Sequence, residues 1–143
     1  MATVTVTHQI DNQFQIDVRG HQLRVDQPRK GGAGEAGPTP TELFVASLAA
    51  CVGHYATSFL RRHEQPYQGL QVECDWAMRA AQPARVGRID LRVIPPSELP
   101  ERLQAGLAAA IEQCTVHNSL RRPPPVTIRL AGVPAAVAVA AEG

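Results

Sequence analysis

Two cysteines in this chain are each followed three residues later by a histidine: Cys51 by His54, and Cys114 by His117. Both pairs lie in helix-like patterns, and residues three apart share one face of a helix. Three interpretations fit this arrangement. The thiols could form a redox pair, the four side chains could bind zinc as a Cys2His2 site, or both cysteines could simply be buried. The spacing alone leaves all three open.

The redox interpretation has a defined chemistry. A thiolate attacks a peroxide oxygen and becomes a sulfenic acid, and a second thiol then condenses with it to give a disulfide. The third cysteine, Cys74, alternates with Val72 and Trp76 in a strand-like stretch. We expect Cys74 to be a core residue, because buried free cysteine behaves as a small hydrophobic side chain. An odd number of cysteines argues against a structural disulfide framework.

Composition limits the class of protein. The chain has 143 residues, a formal net charge of +1, 44% hydrophobic residues and 4% aromatic residues. This length predicts a single domain over 1–143. The near-neutral charge, without a basic run, predicts no nucleic-acid partner. The first residues lack a basic segment followed by an apolar one, so we expect no signal peptide and a cytoplasmic location.

The longest uncharged stretch, residues 43–60, contains Cys51. Thr39, Pro40 and Glu42 form a capping box with proline at the first helical position, which predicts a helix from there to about His63. Polar residues within the stretch argue against a membrane span. Its middle is apolar or small on every face, so we expect it to be buried on every face. One small chain can hardly enclose such a helix, which predicts a homodimer.

Short strands and turns precede this helix. Alternating residues predict strands over 2–8 and 13–18 and a third strand beginning at Leu23, joined as an antiparallel meander. The segment 28–39 is rich in glycine and proline, which predicts a flexible loop of the kind that often carries function.

The second half begins with another strand pair. Residues 70–79 and 86–93 alternate and predict a hairpin, with Trp76 and Met78 on the inward face. A second helix follows with Ser97 as its cap and an apolar stripe, which Cys114 continues at the C-terminal end; the stripe consists of Leu99, Leu103, Leu107 and Ile111. Val126, Ile128 and Leu130 predict a last strand, and 132–143 a frayed tail.

Several of these segments match one known family in order. The stretch "GPTPTELFVASLAAC" (37–51) resembles the signature segment of the OsmC/Ohr family, and "CTVHNSLR" (114–121) resembles its second-cysteine motif. "GHQLRVD", the glycine-rich loop and "RVGRIDLRVI" fit in the same order. The resemblance spans roughly residues 1–130 and is closer to the broad OsmC-like branch than to the organic hydroperoxide resistance branch.

The resemblance implies an α+β fold in which antiparallel sheets wrap around two central cysteine-bearing helices of an intertwined homodimer. It also implies a thiol-dependent peroxidase in oxidative stress defence, with small apolar organic hydroperoxides as the favoured substrates and hydrogen peroxide as a further one. In that role Cys51 is the peroxidatic thiol and Cys114 the resolving thiol. A dithiol reductant, dihydrolipoamide-type or a thiol protein, would restore them, without a cofactor or metal.

Activation of Cys51 is less settled. It lies about three turns into its helix, whereas the helix dipole acts only within the first turn. The resemblance implies an arginine from the N-terminal region and a glutamate near the helix start. Arg19, Arg24 and Arg29 are the candidate cations. Glu42 lies nine residues before Cys51, where ten is typical of the peroxidase branches, so a capping role competes with a catalytic one.

His54, one turn after Cys51, is a further candidate for polarising the thiol, with a hydrogen-bonded core or interface role as the competing interpretation. Two other functions remain open at this stage. One is a non-enzymatic dimer that responds to redox state or binds an apolar ligand. The other is the Cys2His2 metal-binding module formed with His117.

Overall fold

The computed structural model describes residues 1–30, 35–132 and 139–140. Within them the chain forms an α+β fold with antiparallel sheets and three helices. The strands are β1 (Val4–His8), β2 (Phe14–Val18), β3 (His21–Val25), β4 (Gln71–Arg79), β5 (Arg85–Ile94), β6 (Thr127–Ile128) and β7 (Val139–Ala140). The helices are α1 (Pro40–Arg62), α2 (Glu101–Ile111) and α3 (Thr115–Arg121).

The N-terminal sheet has the order β1-β2-β3 and is antiparallel throughout, as the predicted meander requires. Its turns are made where the chain adopts positive φ, at Asp11 (50°) and at Arg19 and Gly20 (48° and 81°). Asp and Gly tolerate this region better than bulkier residues. Every residue of β1 is exposed within the single chain.

Asp26, immediately after β3, organises the described ends of the predicted 28–39 loop. Its carboxylate is only 2% exposed and accepts hydrogen bonds from the backbone N–H groups of Gln27 and Ala36. These bonds, with the nearby Arg29 guanidinium, hold the pKa of Asp26 below its ordinary value despite burial. A Cβ at Gly37 would overlap the Arg24 carbonyl oxygen, so only glycine allows this close approach. Residues 31–34 of the loop lie outside the described residues.

Helix α1 begins as predicted. Thr39 is the N-cap, its hydroxyl accepts from the Glu42 N–H at 3.1 Å, and the Glu42 carboxylate accepts from the Thr39 N–H at 2.7 Å. The helix ends at Arg62 with His63 as C-cap, within one residue of the predicted boundary. By length and composition α1 could cross a membrane, with mean hydropathy 1.5 over its most apolar window. Core helices of globular proteins pass the same test.

The core forms where α1 packs on the β4–β5 hairpin and on α2. The buried residues of α1 recur every three or four positions: Val45, Leu48, Val52, Ala56, Phe59 and Leu60. On the α2 side, Leu103 and Leu107 of the predicted stripe are buried, and the Phe59 ring lies against Gly106. A Cβ there would come within 2.9 Å of the ring, so α1 and α2 approach closely because residue 106 is glycine.

The predicted hairpin is present, but the prediction that Trp76 and Met78 face inward into a core was wrong for the single chain. Trp76 is 36% exposed and Met78 is 49% exposed. At this end of the hairpin an open groove of about 440 Å³ separates Met78 and Val86 from Phe44 in the first turns of α1. These side chains therefore lack the cover that Val72, Leu91 and Val93 receive further along the sheet.

The second helix differs from its prediction at both ends. Its N-cap is Pro100 rather than Ser97, because proline disfavours helical geometry in the preceding residue and so excludes Leu99. The helix ends at Ile111, where the N–H groups of Gln113 and Cys114 bond back only three residues in a tight turn. Cys114 consequently lies outside α2, and a separate helix, α3, begins after it.

The C-terminal strand is shorter than predicted. Among the residues that the structure describes here, only Thr127 and Ile128 pair, with Ala140 and Val139 respectively. Val126, Ile128 and Leu130 are all about half exposed. Apart from Gly132 and Val139–Ala140, the predicted frayed tail lies outside the described residues.

The capping box gives a stability prediction. Thr39→Ala removes the acceptor for the Glu42 N–H and should lower the free energy of unfolding by about 1 kcal/mol, measured by urea denaturation. Thr39→Ser keeps the hydroxyl and serves as the control, expected within a few tenths of wild type. An equal loss in both variants would show that the threonine methyl group, rather than the cap, contributes the stability.

Candidate functional site

Cys51 and Cys114 lie together where α1 meets the start of α3. Both belong to one apolar cluster, in which Leu48 and Val52 of α1 and Cys114 are buried and Cys51 packs against them. Cys51 is half-buried, whereas Cys114 is 0% exposed. Both cysteines are free thiols. The two residues are 63 positions apart in sequence (114 minus 51), so the fold alone brings them into contact.

The two thiols have different surroundings. Burial raises the pKa of the Cys114 thiol above its ordinary value, and a hydrogen bond with the Cys51 side chain raises it further. The backbone N–H groups of His117 and Val116 oppose this shift without cancelling it. Cys114 is therefore held as a protonated thiol at neutral pH, in a position to donate its proton towards Cys51.

The backbone fixes the position of Cys114. Its N–H donates to the Ile111 carbonyl at 3.0 Å, and its carbonyl accepts from the Asn118 N–H at 2.9 Å. Its Sγ accepts from the His117 N–H at 3.5 Å, which makes Cys114 the N-cap of α3. A sulfur in this role is a weak acceptor, so the cap orients the side chain more than it stabilises the helix.

A tyrosine next to the cysteine pair was missed by the sequence analysis. Tyr55 lies one turn after Cys51, and its hydroxyl oxygen is 3.0 Å from that of Thr115, the residue after Cys114. Tyr55 also packs against the apolar cluster that contains both cysteines. The spacing Cys51-x-x-x-Tyr55 places both on one helix face. It was the one available signal, but nothing in the sequence identifies Thr115 as the partner.

The two histidines do not join the cysteines in a metal site. His54 is exposed and its ring meets the Tyr55 ring edge-on, with centroids 5.5 Å apart. His117 is half-buried, and its backbone N–H is the group that faces Cys114. Among residues 1–30, 35–132 and 139–140 there is no cluster of three or more metal-ligating side chains. The Cys2His2 interpretation therefore has no support from the single chain.

The carboxylate and cations expected to activate Cys51 lie elsewhere in the single chain. Glu42 is engaged in the capping box. Arg29 lies 3.7 Å from the carboxylate of Asp11 and 3.8 Å from that of Asp26. Arg19 and Arg24 are exposed, the first in the β2–β3 turn and the second within β3.

In the part of the chain that the structure describes, no ion pair or hydrogen bond joins Glu42, Arg19, Arg24 or Arg29 to Cys51. Their activating role therefore stays a prediction. The same holds for His54.

Cys74 stands apart from the pair. It lies on β4 opposite Leu91 and is half-buried. Burial raises the pKa of its thiol, and the carboxylates of Asp75 and Asp90 raise it further. Cys74 is thus poorly suited to react as a thiolate.

An apolar groove of about 470 Å³ lies beside the thiol pair, between α1, β5 and α3. Its apolar lining residues are Phe44, Leu48, Val86, Ile89, Leu91 and Leu120. Leu48 also contacts the cysteine cluster, and Ile89 and Leu91 pack against that cluster from β5. The groove and the thiols therefore share one wall. Arg88, His117 and Arg121 provide its polar rim.

Comparison with known proteins identifies the family whose sequence model this chain matches. The family model described as OsmC-like protein matches residues 31–129. A search of curated proteins found no match.

Several solved structures share the fold of this chain. A Psychrobacter arcticus protein, described as a candidate osmotic stress induced and detoxification response protein, is 25% identical with a TM-score of 0.73, covering 83% of this chain and 88% of its own. The organic hydroperoxide resistance protein OhrB of Bacillus subtilis is 21% identical with a TM-score of 0.59, covering 85% and 92%. The organic hydroperoxide resistance protein OsmC of Legionella pneumophila is 18% identical with a TM-score of 0.61, covering 83% and 89%.

The difference between the thiols predicts an order of alkylation. Iodoacetamide reacts with thiolates, so at pH 7.5 it should modify half-exposed Cys51 before Cys114 and Cys74, whose raised pKa values keep them protonated. Peptide mass spectrometry over time measures the order. In urea the three cysteines should react at similar rates. Alkylation of native Cys114 as fast as Cys51 would contradict the assignment of Cys114 as the protected thiol.

Proposed function

This chain belongs to the OsmC-like protein family, and we propose that it is a thiol-dependent peroxidase that reduces organic hydroperoxides. The observation that carries the proposal is the contact between half-exposed Cys51 and fully buried, protonated Cys114. A reactive thiol and a resolving thiol need this asymmetry. Names of two relatives, the organic hydroperoxide resistance proteins of Bacillus subtilis and Legionella pneumophila, support a peroxide-related role.

The proposed reaction starts at Cys51. Its thiolate attacks one oxygen of the substrate ROOH and the O–O bond breaks, giving a Cys51 sulfenic acid and, with one proton, the alcohol ROH. The Cys114 thiol then condenses with the sulfenic acid. The S–S bond forms, the S–OH bond breaks, and the thiol proton leaves with the hydroxyl as water.

The unequal exposure of the two cysteines supports the proposed order of their reactions. A peroxide can reach half-exposed Cys51 from solvent, whereas Cys114 has no accessible surface. A buried thiol that stays protonated is also protected from direct oxidation, because oxidants react with thiolates. Both properties suit Cys114 to resolving.

Reduction of the disulfide follows the same geometry. An external dithiol, dihydrolipoamide-type or a thiol protein, would attack the sulfur of Cys51 and release Cys114 as the leaving group. Its second thiol then closes to a disulfide and restores Cys51. We place this cycle in the cytoplasm, where such dithiols are kept reduced.

The groove supports an apolar substrate. Its walls are mainly leucine, isoleucine, valine and phenylalanine side chains, and it shares Leu48 with the thiol cluster. Transfer of an apolar substrate group from water into such a groove gains about 25 cal/mol per Å² buried. Hydrogen peroxide gains nothing comparable, so we propose organic hydroperoxides as the preferred substrates.

A second copy of the chain completes the proposal. Only 33% of the most apolar window of α1 is buried, although no charged residue occurs between Glu42 and Arg61. All of β1 and the apolar end of the hairpin are also exposed. We propose that a homodimer covers these surfaces. A partner could bring one of Arg19, Arg24 and Arg29 to Cys51, where a cation would stabilise the thiolate.

The thiol cycle is tested by adding one equivalent of cumene hydroperoxide to reduced protein and mapping disulfides by mass spectrometry. Wild type should form the Cys51–Cys114 bond. Cys114→Ser should stop at a Cys51 sulfenic acid, or at its overoxidised forms, and Cys51→Ser should stay reduced at Cys114. Cys74→Ser is the matched control and should behave as wild type. Unmodified Cys51 in wild type would contradict the peroxidase proposal and favour a non-enzymatic redox-responsive protein or apolar-ligand binder.

The dimer is tested by light scattering behind size exclusion in buffer without detergent. The expected mass is twice the 15.4 kDa of the chain. Trp76→Glu and Met78→Glu place charge on the exposed hairpin face and should shift the equilibrium towards monomer. Glu73→Lys, on the opposite, solvated face of the same strand, is the control. A monomeric wild type at micromolar concentration would contradict the proposed dimer.

A further inference from the structure

We propose that the hydrogen bond between the Tyr55 and Thr115 hydroxyls is a positioning contact for disulfide formation between Cys51 and Cys114. Resting on the proposed peroxidase function, the inference adds two residues to its second step. Neither residue touches the peroxide in this account. They act through the cysteines beside them, by holding the start of α3 against α1.

The two contacts lie side by side across one junction. Tyr55 follows Cys51 by one helical turn on the same face of α1, and Thr115 follows Cys114 directly in the chain. The two hydroxyl oxygens are 3.0 Å apart, close to the ordinary hydrogen-bonding distance. The cysteine contact is thus matched by a polar contact one turn further along α1.

The hydrogen bonds that Cys114 makes within its own segment do not replace the Tyr55–Thr115 hydrogen bond. The backbone bonds of Cys114 run to Ile111 and Asn118, and its Sγ accepts from the His117 N–H. All these partners lie between Ile111 and α3, so they fix the shape of that segment without fixing its distance from α1. The Tyr55–Thr115 bond is the side-chain hydrogen bond between α1 and α3 in the described part of the chain. Apart from the contact between the Cys51 and Cys114 thiols themselves, the other contacts at this junction are apolar and less directional.

Disulfide formation depends on that distance. The bond requires Cβ atoms about 3.5–4.5 Å apart and a narrow range of dihedral angles. Because Cys114 is fully buried, its sulfur can approach Cys51 only within the packed junction of α1 and the start of α3. Small displacements of the start of α3 should therefore change the rate at which the Cys114 sulfur attacks the Cys51 sulfenic acid, with water as the other product.

The experiment separates the two steps. Reduced wild type, Tyr55→Phe and Thr115→Val are mixed with one equivalent of cumene hydroperoxide and quenched at intervals, with dimedone as the sulfenic acid trap. Both variants should form the Cys51 sulfenic acid at the wild-type rate. Each should close the disulfide about twofold to tenfold more slowly, the range expected from the net contribution of one hydrogen bond. Dimedone adducts at Cys51 should rise accordingly.

Controls test whether the hydroxyl pair itself matters. Thr115→Ser keeps the hydroxyl and should restore closure to near the wild-type rate. Tyr67→Phe makes the same chemical change beside the other core cluster, around Leu103 and Leu107, and should have no effect. The Tyr55→Phe/Thr115→Val double variant should be no slower than either single variant, because the two changes remove one interaction.

The outcomes distinguish this inference from the proposed function. No Cys51 sulfenic acid in wild type would overturn the peroxidase proposal itself. Normal sulfenic acid formation with unchanged closure in both single variants would overturn only the positioning role. Two results would show a merely structural contribution and also overturn it: equal slowing of both steps, or additive slowing in the double variant.

Discussion

The structure depends on the packing of an uncharged helix against the start of a short one. Helix α1 has no charged side chain over residues 43–60, which lets it bury residues against the hairpin, α2 and α3 at once. That packing places Cys51 against Cys114 and excludes solvent from only one of them. The chemical difference between the two cysteines therefore arises because the core encloses Cys114 completely and Cys51 only in part.

Because α1 is uncharged, one chain does not cover all of the apolar surface around it. An uncharged helix needs apolar cover, and the single chain leaves Phe44 and the hairpin residues Trp76 and Met78 exposed around the start of α1. The N-terminal sheet adds a further exposed surface, and Asp26 and Gly37 tie the end of β3 to the approach to α1. The proposed dimer and the open groove both follow from this incomplete apolar cover.

Local signals were sufficient for much of the fold. The capping box fixed the start of α1, alternation identified both antiparallel units, and the Leu103–Leu107 stripe identified the buried face of α2, because each depends on residues close in sequence. The position of Cys114 depended on where a helix ends, and backbone bonds in a tight turn decide that more than side-chain type does. The exposure of Trp76 and Met78 depended on the gap between the hairpin and the start of α1. The residue pattern within either element does not reveal that gap.

Of the candidate site, only the two cysteines that carry the proposed chemistry could be predicted from the sequence. The family resemblance identified Cys51 and Cys114, but their unequal burial, the apolar groove and the Tyr55–Thr115 contact arise from residues distant in sequence. Glu42 is a residue whose role the sequence alone could not decide. Its carboxylate fits a capping motif and lies one residue from the expected catalytic position, and the structure shows it engaged in the cap.

The central claim is that one peroxide oxidises two thiols of the same chain. Thiol titration of the unfolded protein, after one equivalent of cumene hydroperoxide and removal of excess reagent, tests it directly. The three free thiols per chain should fall to one, with one 2-phenyl-2-propanol released per chain. A count that stays at three, or the loss of two thiols without release of the alcohol, would contradict it.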